Sequence, residues 1–296
     1  MVLGEQYPLS VGLDGALEGT LAAGGISSSA AVILVFLTAL CRLNGIRLSD
    51  REKITLARAA ENRYVGVNCG KLDQSCEVLC RQDQLLYLDN LDDCFESIPA
   101  SAAMKPYRIG IFFSGLERSL ASSRYNLRID ECRAAAYSLL AYGGTDYGKI
   151  GDTVLREVPK ELFDTYADRL PPPFRKRAVH YFGEMDRVEA GADAWRRGDM
   201  DTFGELCFAS GQSSIDNYEC GCPELITMYN ILRQTKGVYG GRFSGAGFKG
   251  CCMALVDPVF EEEIRHTVTA AYTKAYPALE GKAVITFCRT ADGIQD

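Results

Sequence analysis

The stretch Leu21-Ala-Ala-Gly-Gly-Ile-Ser-Ser-Ser-Ala-Ala31 stands directly before an apolar run that is typical of a helix. Gly24 and Gly25 let the backbone approach a ligand closely, and three serines stand where the helix is predicted to begin. The N–H groups at a helix N-terminus carry partial positive charge, so a phosphate is their natural partner. Serine hydroxyls can add hydrogen bonds or a ligand for Mg²⁺. A plain Gly/Ser turn with a helix cap is the alternative. The loop is not a Walker A loop, because no Lys precedes Ser27, Ser28 and Ser29.

A second candidate site spans Glu61-Asn-Arg-Tyr-Val-Gly-Val-Asn-Cys-Gly-Lys-Leu-Asp-Gln74. Two carboxylates, Glu61 and Asp73, flank a turn that contains two glycines, so they can converge on one point. Phosphoryl transfer needs one carboxylate for the metal and another for the proton of the attacking hydroxyl. The alternative is a purely structural role, with Glu61 as a helix-capping residue and Asp73 as an exposed residue of a turn.

A third segment, Gly240 to Gly250, is rich in glycine and precedes the apolar strand predicted at Cys251–Val256. Glycines tolerate positive φ and close approach, so this loop can fold over a ligand. Gly245 and Gly247 are the residues of this loop that we expect to contact the ligand. Glycine-rich bends also occur at tight strand corners, which is the alternative.

Around these segments, helical and strand patterns alternate without βαβ regularity, which favours an α+β fold over a doubly wound parallel sheet. Ser49 or Asp50 can cap a helix that runs to about Tyr64. The polar, proline-marked stretch from Asn90 to Pro106 is the candidate domain boundary. We therefore predict an N-terminal domain at residues 1–100 and a C-terminal domain at residues 101–296.

The composition of the 296 residues is that of an ordinary globular protein, with 47% apolar and 24% charged side chains. The net charge of −7 disfavours nucleic-acid and anionic-membrane partners. The apolar run Ala30–Cys41 is shorter than the ~20 residues that span a bilayer. No signal-peptide pattern is found in the first twenty residues. The twelve cysteines lack zinc spacing and predict reduced thiols. We therefore expect a cytoplasmic protein with a small-molecule substrate.

Together the three segments resemble the GHMP kinases, and the galactokinases in particular. Gly25-Ile-Ser-Ser-Ser-Ala30 is similar to the family's phosphate loop, with Leu21 where Pro is usual. Ala60 to Gln74 is similar to A-E-N-E-F-V-G-C-N-C-G-I-M-D-Q, and Gly240 to Cys251 is similar to G-A-R-M-T-G-G-G-F-G-G-C. The resemblance implies a two-domain GHMP-kinase-like fold. Its N-terminal lobe would be ribosomal protein S5 domain 2-like, here truncated, and its C-terminal lobe ferredoxin-like.

Within the family, three segments are most similar to the galacturonate kinases. They are His180-Tyr-Phe-x-Glu184, Asp216-Asn-Tyr-Glu-Cys-Gly221 and Val238 to Cys252. The resemblance implies an ATP-dependent sugar-1-kinase that phosphorylates the anomeric hydroxyl of galactose or, preferably, galacturonate. No basic residue can be assigned to the sugar carboxylate from the sequence.

The resemblance also implies roles for particular residues. Asp73 would contact the sugar and act as the catalytic base, Glu61 and Ser29 would hold Mg²⁺, and Tyr125 would contact the sugar. The remaining residues would bind ATP: Gly24, Gly25, Ser27, Ser28, Ser29, Gly245 and Gly247.

The chain departs from the family at its beginning. Galactokinases open with a segment like G-R-V-N-L-I-G-E-H-x-D, and no such segment is found here. One expectation is a piece of a longer or split protein, in which another segment supplies the motif. The other is a shortened form with impaired catalysis, such as a sensor or regulator that binds sugar and ATP.

Overall fold

The apolar run after the serines forms a helix, α2 (Ser28–Leu43), which buries Leu34, Leu37 and Cys41. Their spacing of three and four residues places them on one face of the helix. The next helix, α3 (Asp50–Ala60), begins as predicted, because Ser49 caps it. The Ser49 side chain accepts a hydrogen bond from the amide of Glu52, and the Glu52 carboxylate accepts one from the amide of Ser49 at 2.8 Å. This reciprocal pair is a capping box.

The structure is a computed structural model that describes residues 2–19, 26, 28–66, 69–116, 124–245 and 247–294, without the side chains of Val65 and Tyr125. Contacts divide the chain into two units. The first comprises Met1–Ala100 and Arg289–Asp296, and the second comprises Ser101–Cys288. The sequence predicted a second domain that ran to residue 296. The structure differs there, because the amide of Gly293 donates a hydrogen bond to Cys80 O of the first unit.

The first unit adds two helices, a π-helical turn and an antiparallel hairpin to α2 and α3. These elements are α1 (Val2–Gln6), the π-helical turn Glu61–Val65, α4 (Leu72–Leu79), β1 (Gln84–Leu88) and β2 (Phe95–Pro99). Apolar side chains of α1 to α4, among them Leu34, Leu56 and Val78, form its core. Strand β2 lies within the polar stretch from Asn90 to Pro106, for which the sequence predicted only a candidate domain boundary. It pairs with β1 and buries Ile98.

The second unit is built on a four-stranded antiparallel sheet with the order β4-β5-β3-β6. The strands are β3 (Arg108–Phe113), β4 (Val238–Phe243), β5 (Cys251–Val256) and β6 (Val284–Cys288), and the helices are α5 (Tyr125–Tyr142), α6 (Lys160–Tyr166), α7 (Pro172–Arg197), α8 (Met200–Asp216), α9 (Pro223–Gln234) and α10 (Glu261–Ala275). Helices separate β3 from β4 and β5 from β6. The β-α-β-β-α-β order and the strand arrangement are those of a ferredoxin-like fold, which confirms that prediction.

Close packing of α8 on β4 holds the helical layer against this sheet. A Cβ on Gly204 would lie 2.1 Å from Tyr239 O, so only glycine permits the observed approach.

In the described ranges, no helix combines the length and the hydropathy that a membrane span requires.

Candidate active site

The predicted phosphate loop leads into the N-terminus of α2. Ser28 and Ser29 form the first turn of this helix and are exposed, whereas Gly24, Gly25 and Ser27 lie outside the described residues. The first-turn amides of a helix have no intrahelical acceptors. The N-terminus of α2 therefore offers N–H donors beside two hydroxyl groups, a combination that suits a phosphate.

Glu61 is buried, and its carboxylate is held by two side chains from other parts of the first unit. Ser29 Oγ donates to Glu61 Oε1 at 2.6 Å, and Gln74 Nε2 donates to Glu61 Oε2 at 2.6 Å. The structure thus brings the predicted Ser29 and Glu61 together. Gln74 was not predicted as a site residue, although its position directly after Asp73 could have pointed to it.

A local irregularity of the backbone presents Glu61. Helix α3 widens into a π-helical turn at Glu61–Val65, in which the amide of Gly66 donates to Glu61 O at 3.1 Å. Gly66 ends this turn with a left-handed φ of 75°, which glycine adopts without strain. Single π-helical turns inside helices are frequent at functional sites.

Asp73 lies half-buried in the first turn of α4, one residue before Gln74. One turn later on the same helix, burial raises the pKa of Glu77 to about 8, and the charges of Asp73 and Glu61 raise it further in the same direction. The charges of Asp73 and Glu61 thus both act on the carboxyl of Glu77. Glu77 is a neighbour of the site that sequence reasoning missed.

A cavity of about 600 Å³ lies beside these elements and is lined by residues of α3, α4 and the β1–β2 loop. Lys71 in this cavity forms an ion pair with Asp93, and Arg51 lies 3.6 Å from the same carboxylate. Burial, followed by the charges of Arg58 and Arg51, lowers the pKa of Lys71. The described side chains of the predicted site do not line this cavity.

The other predicted residues lie in the second unit. Gly245 and Gly247 follow β4 and have left-handed φ values of 57° and 70°. A Cβ on Gly247 would lie 2.9 Å from Phe243 Cδ2 and 3.1 Å from Cys220 Sγ, so the loop packs closely on its own unit. Tyr125 is the first residue of α5, and its side chain lies outside the described part of the chain.

The segment around Cys220 is fixed by ion pairs. The Glu219 carboxylate accepts hydrogen bonds from Lys176 Nζ at 2.6 Å and from Arg177 Nη2 at 2.8 Å, which lower its pKa to about 2. Arg177 is almost fully buried and also donates to Glu131 at 2.6 Å. This network holds the segment that Gly247 approaches. Its side chains come from three separate parts of the sequence, which no local motif could connect.

Comparison with known proteins places these features in a family. Residues 3–81 match the GHMP kinases N terminal domain, and residues 192–274 match the GHMP kinases C terminal domain. The chain is 41% identical over 291 residues to the galacturonokinase of Arabidopsis thaliana, covering 96% of this chain and 68% of that protein. It is 34% identical to the galactokinase of Roseiflexus sp., covering 91% of this chain and 66% of that protein.

Among solved structures, Lactococcus lactis galactokinase complexed with galactose superposes with a TM-score of 0.81 at 30% identity, covering 93% of this chain and 68% of that one. The chain thus spans about two thirds of the length of these relatives. Each of them is a kinase, which gives no support to the expected sensor role or to a missing segment supplied by a second protein. The chain belongs to the GHMP kinase family, in the group that contains the galacturonokinases and galactokinases.

Proposed function

We propose that this chain is a sugar-1-kinase that transfers the γ-phosphoryl group of ATP to the anomeric hydroxyl of galacturonate, and less well of galactose. The cluster of Ser29, Glu61 and Gln74 beside Asp73 carries this proposal. It joins a helix N-terminus suited to phosphate with two carboxylates, as phosphoryl transfer requires.

In the proposed step, Asp73 accepts the proton of the anomeric hydroxyl. The sugar oxygen forms a bond to the γ-phosphorus, and the bond between that phosphorus and the β–γ bridging oxygen breaks, leaving ADP. The half-buried position of Asp73 suits this role, because the carboxylate is kept in place by its helix and still reaches solvent. General-base assistance contributes about 10²–10⁴-fold to such a reaction.

The donor set around Glu61 fits a magnesium ion. Among the described residues no group of three or more His, Cys, Asp or Glu side chains is poised for a metal. Mg²⁺ bound with a nucleotide needs only one or two protein oxygens, with phosphates and water completing its octahedron. Ser29 Oγ and the Glu61 carboxylate would supply them. When bound, the ion would neutralise charge on the β- and γ-phosphates.

The remaining contacts complete the proposal. Gly24, Gly25, Ser27 and Ser28 would surround the phosphates with amides and hydroxyls, as their position before and within the first turn of α2 suggests. We assign Gly245 and Gly247 to the nucleotide and Tyr125 to the sugar.

The preference for galacturonate is supported by two observations. Identity is higher to the galacturonokinase, 41%, than to the Roseiflexus galactokinase, 34%. The segment Asp216–Gly221, which resembles the galacturonate kinases, lies against the Gly245–Gly247 loop through Cys220. Its Glu219 is held in place by Lys176 and Arg177.

The proposal is tested by coupled ADP release with galacturonate, galactose and glucuronate, on the wild-type chain and on Asp73→Asn. We expect the highest kcat/KM with galacturonate. Asp73→Asn should lower turnover by at least 10²-fold, because the amide cannot accept the proton. ATP binding, measured by calorimetry, should be retained.

Asp164→Asn is the matched control, since Asp164 is exposed on α6 of the second unit. It should behave as wild type. Near-normal turnover of Asp73→Asn would overturn the role of Asp73. A preference for galactose would overturn the substrate assignment and leave the kinase assignment intact.

A further inference from the structure

Helix α4 carries Asp73 and Gln74 but is only eight residues long. Helices of this length are unstable on their own, so packing and capping must hold α4 in place. The last carbonyl groups of a helix have no intrahelical donors and need partners from elsewhere. In α4 these carbonyls begin one turn after Asp73.

Backbone amides of residues 293 and 294 donate to two carbonyls at this end, one in the last turn of α4 and one at Cys80, which follows the helix. Ile294 N–H donates to Glu77 O at 2.7 Å, and Gly293 N–H donates to Cys80 O at 2.8 Å. The Ile294 side chain also packs on the apolar core of the first unit. The C-terminal residues thus cap the helix where a Schellman turn would otherwise do so.

Three more hydrogen bonds fix the same segment to the turn that follows α4. The amide of Gln82 donates to Asp292 Oδ1 at 2.8 Å, and the amide of Asp83 donates to Thr290 Oγ1 at 3.0 Å. Thr290 Oγ1 in turn donates to Asp83 Oδ1 at 2.6 Å. Asp83 has a left-handed φ of 56°, an uncommon conformation that this reciprocal pair stabilises.

The fit at Gly293 is tight. A Cβ at this position would lie 2.6 Å from Glu77 O and 2.8 Å from Val78 O, both of them backbone atoms of α4. Alanine at position 293 would therefore force either the segment or the end of the helix to move. Glu77 is four residues after Asp73, which is about 6 Å along the helix axis.

We propose that residues 290–294 form a C-terminal clasp that positions α4, and through it Asp73, for catalysis. The proposal rests on the function proposed above. Because α4 has only two turns, a displacement of its C-terminal end moves Asp73 with it. Misplacement of a reacting group by about 1 Å can cost about 10²-fold in rate. Gly293 and Thr290 are thus positioning residues, linked by hydrogen bonds to the helix and its following turn.

The test compares Gly293→Ala and a chain truncated after Arg289 with the control Gly12→Ala, whose Cβ would meet nothing within 4 Å. Two readouts are measured: kcat and KM for sugar and ATP, and amide hydrogen exchange across the first unit. For Gly293→Ala we expect kcat to fall about 10–10²-fold with KM for ATP unchanged. Exchange should accelerate at least 10-fold in α4 and stay unchanged in α2. A peptide of residues 289–296 should restore kcat to the truncated chain, and a scrambled peptide should not.

Equal kcat for Gly293→Ala and Gly12→Ala would overturn the proposal. So would faster exchange spread evenly over α2, α3 and α4, because that pattern indicates general destabilisation. If the truncated chain does not fold, Gly293→Ala alone decides. If the wild-type chain phosphorylates no sugar, the proposed function fails by itself. The exchange data for Gly293→Ala then test the clasp on their own. Faster exchange confined to α4 supports the clasp, and unchanged exchange refutes it.

Discussion

Replacing Glu77 by glutamine removes a carboxyl group whose ionisation opposes folding of the first unit. Glu77 lies in α4, and its Oε2 is buried without a hydrogen-bond partner among the residues that the structure describes. Burial is the main reason why its pKa rises to about 8, and the negative charges of Asp73 and Glu61 act in the same direction. Glutamine has nearly the same shape and stays neutral at every pH.

The sign of the effect follows from proton linkage. In the unfolded chain Glu77 loses its proton near its ordinary pKa of 4.5, whereas in the folded chain it keeps the proton up to about pH 8. Stability therefore falls as pH rises through this window and levels off above it. At 1.36 kcal/mol per pKa unit the shift corresponds to about 5 kcal/mol. Screening by solvent at this partly exposed carboxyl reduces the expected loss to about 1–2 kcal/mol.

Amide hydrogen exchange in α2 and α4 is the suitable assay, because the single tryptophan, Trp195, lies in the second unit. Wild type and Glu77→Gln are compared at equal pH between 5 and 9, so the intrinsic exchange rate cancels. We expect similar protection at pH 5 and a growing advantage of the variant up to about pH 8. Glu18→Gln, at an exposed position, is the control and should follow wild type. If amide protection changes with pH in the same way for wild type and Glu77→Gln, then Glu77 ionises in the fold as it does in water.

Three further substitutions test other features. Ser49→Ala removes the side-chain acceptor of the capping box and should destabilise α3 by about 1 kcal/mol. Amide hydrogen exchange in α3 should become faster, and unchanged exchange would contradict this prediction. Gly204→Ala would place a Cβ 2.1 Å from Tyr239 O and should cost about 1–3 kcal/mol, measured by urea unfolding followed by tryptophan fluorescence. An unchanged midpoint would show that α8 can move away at no cost. Glu131→Gln weakens the charge balance of the buried Arg177 and should lower stability by about 3 kcal/mol in the same assay, whereas a change below 1 kcal/mol would contradict it.

Features encoded by neighbouring residues were predicted well from the sequence. The start of α3 at Ser49, one of the two candidate caps, and the strand Cys251–Val256 were identified correctly, because caps and apolar runs are local signals. The ferredoxin-like lobe followed from the ordered motifs rather than from periodicity. Where the chain carries a short motif, the expected residues Ser29 and Glu61 are found together.

Features that depend on distant residues were missed. Strand β2 has only two apolar residues, so its pairing with β1 rather than its composition makes it a strand. The return of residues 289–296 to the first unit depends on two amides that meet carbonyls about 200 positions away. Gln74 was visible in the motif, but it bonds Glu61 at the start of a π-helical turn, which has no clear sequence signal.

The C-terminal clasp also has a consequence for biosynthesis. Ribosomes add about 5–20 residues per second, so the roughly 200 residues between the turn at Asp83 and Thr290 take about 10–40 s to make. During that time the nascent first unit holds α4 without its C-terminal partners. Helices relax in about a microsecond, so this delay is set by translation and not by folding. The proposed catalytic helix would thus receive these partners only after the second unit, Ser101–Cys288, has been synthesised.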